Sequence, residues 1–168
     1  MTPTEYRDEV SRLAKTDHAK ALELVGRISD PWFRAQAYAH LARYAESSPL
    51  PFARKAAKCA AQCKDDYQRS AVRAWEIVAL AERDYETQAR RSLEEAVEIA
   101  KSVDPISSRA ESLILLVQAA FAISSSDGEM VAEVLEVACV TEHWREKRAR
   151  RDAKRMLTGE MPPRPFFW

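Results

Sequence analysis

The chain contains no asparagine and only three glycines, Gly26, Gly128 and Gly159. Glycines this far apart exclude a phosphate-cradling loop and a dinucleotide fingerprint, which need several within a few residues. Three cysteines, an odd number, do not compose a disulfide framework. The longest apolar stretch runs over 113–123 with Gln118 inside it, far too short to span a bilayer. The opening residues, 1–8, hold no apolar secretory run. A reducing, cytoplasmic setting is therefore expected. Neither sign of charge prevails, with 26 Lys/Arg against 26 Asp/Glu, so bulk electrostatics select no nucleic-acid or membrane partner.

What is present is helix-forming chemistry. Alanine, leucine, glutamate and arginine dominate, and these side chains lose little freedom in a helix. Residues 96–103, AVEIAKSV, are followed by Asp104-Pro105, and the pattern returns in altered form. Residues 21–28, ALELVGRI, precede Asp30-Pro31; residues 56–63, AAKCAAQC, precede Asp65-Asp66; residues 134–141, VLEVACVT, precede Glu142. The copies start 35, 40 and 38 residues apart, a period that marks an array of helical hairpins.

Cap signals divide the chain into nine helices. Thr4 opens the first, 4–15, and a second covers 19–28. Asp30-Pro31 opens a third to residue 46, and a fourth covers 52–63 after the turn at 47–51. Asp65-Asp66 opens a fifth to residue 83, and Asp84 caps a sixth to 103. Asp104-Pro105 opens the most hydrophobic helix, the seventh. Residues 124–128 read as a loop with Asp127 as cap, before an eighth helix over 129–140. Thr141 caps a ninth, charged helix that ends at Gly159. The expected fold is all-α: a solenoid of αα-hairpins at about 4–29, 31–63, 66–103 and 105–140. A capping helix at 142–158 completes a single domain, 1–158, with a proline- and aromatic-rich tail, 159–168. Connections should be tighter between hairpins than within them.

The hairpin length, the small or apolar Ala21, Leu24, Val25 and Ile28 on a second helix, and Pro31 and Pro105 at junctions resemble tetratricopeptide repeats. The resemblance covers residues 4–141, but two junctions lack proline and the first-helix Trp/Leu/Gly/Tyr series is not reproduced. It implies a curved scaffold offering an inner groove to peptides or partner proteins. The Asn-and-Lys carboxylate clamp of some such domains is not expected, since no asparagine is available.

Candidate binding residues are Arg34, Tyr38, His40, Tyr44, Arg69, Arg73 and Arg109. Arg34, Arg69 and Arg109 recur near the starts of alternate helices, as a groove-lining ladder or as local partners of Asp30, Asp65 and Asp104. Trp32, Phe33, Tyr67 and Trp144 recur at junctions and read as staples between hairpins. Tyr38, His40 and Tyr44 do not recur and fit a groove better. Cys59 with Cys63, and Cys139 with His143, have metal-ligand types one helical turn apart. The repeat register sets the first pair on Leu24 and Ile28, which are core positions, so no metal or cofactor is assigned. His18, His40 and His143 fall on different hairpins without a recognisable catalytic motif, and no enzyme is expected.

Residues 141–168 hold eight Lys/Arg against four Asp/Glu. The basic helix is either a polar cap or, as the alternative function, a contact surface for nucleic acid or another phosphate-bearing partner. In the tail, Phe166, Phe167 and Trp168 form a large apolar group, expected to dock on this array, on a second copy or on a partner.

Overall fold

Cap chemistry sets where each helix begins in the computed structural model, which describes residues 1–167 and is all-helical there. Thr2 and Glu5 form a reciprocal capping box at the start of α1 (Pro3–Leu13), two residues ahead of the expected Thr4. Asp17 caps α2 (His18–Val25), Asp30 caps α3 (Pro31–Tyr44), and Asp65 caps α5 (Asp66–Ala71). Between the last two lies α4 (Leu50–Ala61).

The expected fifth helix is broken at Val72 into α5 and α6 (Arg73–Glu82). The Ser70 hydroxyl bonds back to the Asp66 carbonyl at 2.7 Å and meets Ser112 Oγ, also at 2.7 Å. Back-bonding of this kind competes with the helix ladder and bends it. Asp84 does not start the next helix. It sits at φ 63, and Tyr85 N bonds back to the Leu80 carbonyl at 2.9 Å, so Asp84 ends α6 in a left-handed turn.

Three helices follow: α7 (Glu86–Ala100), α8 (Ile106–Phe121) and α9 (Ser125–Ala138). The 124–128 segment is the beginning of α9 and not a loop. Ser124 caps it by accepting from Asp127 N. Gly128 lies in the first turn because an added Cβ would stand 2.7 Å from the Phe121 ring. The connections at 83–85 and 122–124 are shorter than those at 101–105 and 139–143, the reverse of the expected alternation, whereas 45–49 is longer than 62–65, as expected. The last helix, α10 (Trp144–Leu157), is separate from α9. Its cap is His143, and Thr141 bonds instead to the buried Glu146.

α1, α3, α6, α8 and α10 contact one another in that order. α2, α4, α7 and α9 each pack on the preceding and the following member of that row. Alanines at the contacts, among them Ala39, Ala74, Ala79, Ala119 and Ala120, are fully buried and let backbones approach closely. One apolar cluster joins α1, α2 and α3 around Val10, Leu13, Ile28 and Leu41. A second, larger one runs from α3 to α10 and takes in Phe166 and Phe167. Among the described residues no helix is long and apolar enough to cross a membrane.

Candidate functional site

Gly159 directs the end of the chain. At φ 76 it supplies the left-handed residue that closes α10, and Met161 N then bonds to the Arg155 carbonyl at 3.1 Å. The following segment crosses the face of α3, α6 and α8. Phe166 and Phe167 are 3% and 8% exposed there. Trp168 lies outside the described residues.

Each ring has its own seat. Phe166 meets Trp75 edge-on, with centroids 5.2 Å apart. Trp75 in turn packs edge-on against Trp32 at 5.9 Å, and Trp32 stacks on Tyr67 at 6.3 Å. Phe167 meets His40 edge-on at 4.8 Å, beneath the Arg43 guanidinium at 4.7 Å. Such contacts add about 0.5–1.5 kcal/mol to the burial of the rings.

Second contacts position the seats. Glu82 of α6 pairs with Arg43 and holds it over Phe167. Arg83 donates to the carbonyls of Ala42, Arg43 and Ala45, closing the C-terminus of α3. His40 Nδ1 lies 3.2 Å from Ser11 Oγ. Burial, assisted by Arg7 and Arg43, pushes the His40 imidazole down to about 3. A ring of that pKa has little proton affinity at neutral pH and serves poorly as a general base. Two polar atoms in this region lack partners: Trp75 Nε1 and Gln118 Oε1 are buried without a hydrogen bond. A cavity of about 290 Å³ remains between the segment and Val78, Gln118 and Phe121.

Among the described residues, His40 is the one candidate binding residue that joins Phe166 and Phe167 in this groove. Tyr38 lies on the other side of α3, with Lys55 Nζ of α4 5.6 Å from its ring centroid. Tyr44 accepts from Arg43 at 3.2 Å. Two members of the arginine ladder, Arg69 and Arg109, are helix clasps. Arg69 Nε donates to the Cys63 carbonyl and Arg109 Nε to the Val103 carbonyl, each six residues back. Arg69 pairs with Asp66, and Asp65 is spent as a cap. Arg34 lies beside the Cys59 thiol, but burial still pushes that thiol up. Cys63 and Cys139 rise to about 11 for the same reason, far from thiolate formation. Among the described residues no group of three or more His, Cys, Asp and Glu is placed to hold a metal ion.

Arg73 points away from the groove, into a cleft of about 440 Å³ between α4, α6 and α7. Its Nε bonds to Glu76 at 2.6 Å and its NH2 group to Glu95 at 3.2 Å, while Ser92 donates to Glu76 at 2.7 Å. On α10, Arg148 pairs with Glu111, Arg151 with Asp152 and Lys147 with Glu142. Trp144 is 58% exposed and staples nothing, unlike Trp32 and Tyr67.

Sequence reasoning missed Arg43, Trp75, Glu82 and Gln118 as groove residues. The available signal was register: His40 and Arg43 are one turn apart on α3, as are Trp75 and Val78 on α6. No protein-family model matches the chain, and neither a curated protein nor a solved structure matches it significantly.

Proposed function

We propose that the chain is a tetratricopeptide-like αα-hairpin scaffold that binds an extended segment of a protein partner and performs no catalysis. In this reading α1–α2, α3–α4, α5/α6–α7 and α8–α9 are the hairpins, and α10 caps the array. One observation carries the reading. The face shared by α3, α6 and α8 holds an extended, proline-containing segment by two aromatic side chains in adjacent seats. A surface that accommodates its own chain in this way has the shape and chemistry to accommodate another. Three free, buried thiols suit a reducing compartment, and a cytoplasmic location belongs to the same proposal.

Display of random peptides against the full chain, followed by NMR mapping of the selected ones, tests this. Selected peptides should perturb His40, Arg43, Trp75 and Gln118. Peptides that perturb only α10 or the α4–α6–α7 cleft, or nucleic acid bound at α10 with a steep salt dependence, would remove the proposal.

A further inference from the structure

The segment that fills the groove is held in an unusual way for a permanent part of a core. Its ring contacts are extensive, yet its backbone is poor in donors. Pro162, Pro163 and Pro165 have no N–H to give, and the Met161 N–H is spent on α10. Beneath it, Trp75 is 5% exposed and its indole N–H has no acceptor, while Gln118 Oε1 has no donor. Buried polar atoms are nearly always paired in a finished core. The groove thus offers one donor and one acceptor that the resident segment covers without serving.

We propose that residues 161–167 are a releasable occupant of this groove, and that what replaces them is an extended, proline-led segment of another protein carrying two consecutive aromatic residues. The inference rests on the peptide-binding reading and names the ligand class for that site.

Three features of the groove define the incoming segment. The seats on Trp75 and on His40 under Arg43 accept flat rings in adjacent positions, so two neighbouring aromatics are required. Prolines ahead of them favour the extended polyproline conformation and reduce the ordering cost of binding. A residue with an N–H where this chain has proline, and a carbonyl near the Trp75 indole, would serve the two orphaned atoms. A second copy of this chain brings nothing that the resident segment lacks. Tethering gives the resident an effective concentration in the millimolar range, so an identical sequence in trans loses to it. A partner with the same rings and better-matched polar groups does not.

The test uses a fluorescent peptide with the sequence of residues 161–168. Its affinity is measured for the wild-type chain and for a full-length chain carrying Phe166→Ser and Phe167→Ser. The variant should bind it at least tenfold more tightly than the wild type does, and the Trp75 indole N–H resonance should shift on binding. Equal affinities, or no binding to a variant of unchanged helicity, would overturn the proposal. If the double variant loses helicity, the wild-type chain decides. Peptide raised above that millimolar effective concentration should move the Phe166 and Phe167 ring resonances to solvent-exposed positions, and resonances still unmoved there overturn the idea. Display-selected peptides that bind this groove without an aromatic pair would refute the inference and leave the peptide-binding reading standing.

Discussion

α6 presents two opposite faces, and the contrast between them separates a cleft closed by its own charges from the groove that the terminal segment fills. Trp75, Val78 and Glu82 look toward the segment 163–167, whereas Arg73, Glu76 and Leu80 look toward α4 and α7. Both sets follow the same i, i+3, i+7 spacing. On the outer face the buried charges are answered from within the fold. Arg73 is held between Glu76 and Glu95, and Ser92 completes the Glu76 carboxylate. Burial alone would lower the Arg73 pKa, yet the two carboxylates leave it raised. On the inner face the cover comes from a donor-poor terminal segment, and polar atoms beneath it remain unpaired. The difference teaches that burial does not distinguish the two faces. What distinguishes them is whether the covering group satisfies what it covers.

Breaking the outer network should have the largest effect. Glu76→Ala leaves Arg73, with its side chain 9% exposed, facing only the more exposed Glu95. Removing one partner of a buried pair costs about 3–5 kcal/mol. Urea unfolding should register that loss, and Arg73→Met combined with Glu76→Leu should recover most of it. A Glu76→Ala chain as stable as wild type would show that the outer network is not a closed unit.

The inner face can be disturbed from behind. Phe121 lines the groove and packs on Gly128, where an added Cβ would approach the ring to 2.7 Å. Gly128→Ala therefore forces the ring or α9 to move. Overpacking of this kind costs about 1–3 kcal/mol, to be read as a lower unfolding midpoint. If the ring is what yields, its resonance and that of Phe166, which lines the same cavity, should move together.

How much of this was legible in the sequence depends on the range of the interaction. Helix existence was legible because caps and periodicity are local: Asp30 and Asp65 act within three residues of their own position. Cap choices failed where two candidates stood close together. Ser124 and Asp127 form one reciprocal cap, and Asp84 closes the helix before it instead of opening the next. The groove was hardly legible, because its parts come from residues 40, 43, 75 and 118 and from a segment near residue 166. Trp75 is buried like a core residue, and its place in the sequence is silent about what buries it. The recurrent arginines read either as a ladder or as local partners, and Arg109 does pair with Asp104. Arg69 and Arg109 also share a clasp on the carbonyls of Cys63 and Val103, a contact six residues back that sequence spacing alone did not indicate.

The pH dependence of stability should isolate His40. Its folded pKa of about 3 lies below the ordinary 6.5. The unfolded chain then binds a proton below pH 6.5 that the folded chain refuses. The contribution of neutral His40 is complete above pH 6.5 and is lost as pH falls from there toward 3. The slope is at most about 1.4 kcal/mol per pH unit, or roughly 2 kcal/mol between pH 7 and 5. His40→Gln should flatten the profile in this window. Arg7 and Arg43 face the ring, and Glu82 neutralises part of Arg43, so charge and burial act together. Phe167 supplies part of that burial. In the Phe166→Ser, Phe167→Ser chain, the NMR titration of His40 should therefore shift to higher pH, and an unshifted titration would place the burial elsewhere.

The smallest effect is a matched removal of one cation from each face. Arg91 lines the outer cleft with its side chain 83% exposed, 3.7 Å from Glu95. An ion pair so exposed holds two long side chains for little return, and Arg91→Ala should change stability by less than about 0.5 kcal/mol. Arg43 on the inner face is also only partly buried and is paired with Glu82, so Arg43→Ala should cost about 1 kcal/mol or less in stability. Their effects on binding should differ. Arg43 stands over the seat of Phe167, where a cation above an aromatic ring is worth about 0.5–2 kcal/mol. Groove peptides should weaken by roughly 2- to 30-fold on Arg43→Ala and by nothing measurable on Arg91→Ala, with fluorescence anisotropy as the readout. Equal losses at the two sites would mean that the peptide senses net charge alone. The assignment of separate roles to the two faces of α6 would then fail.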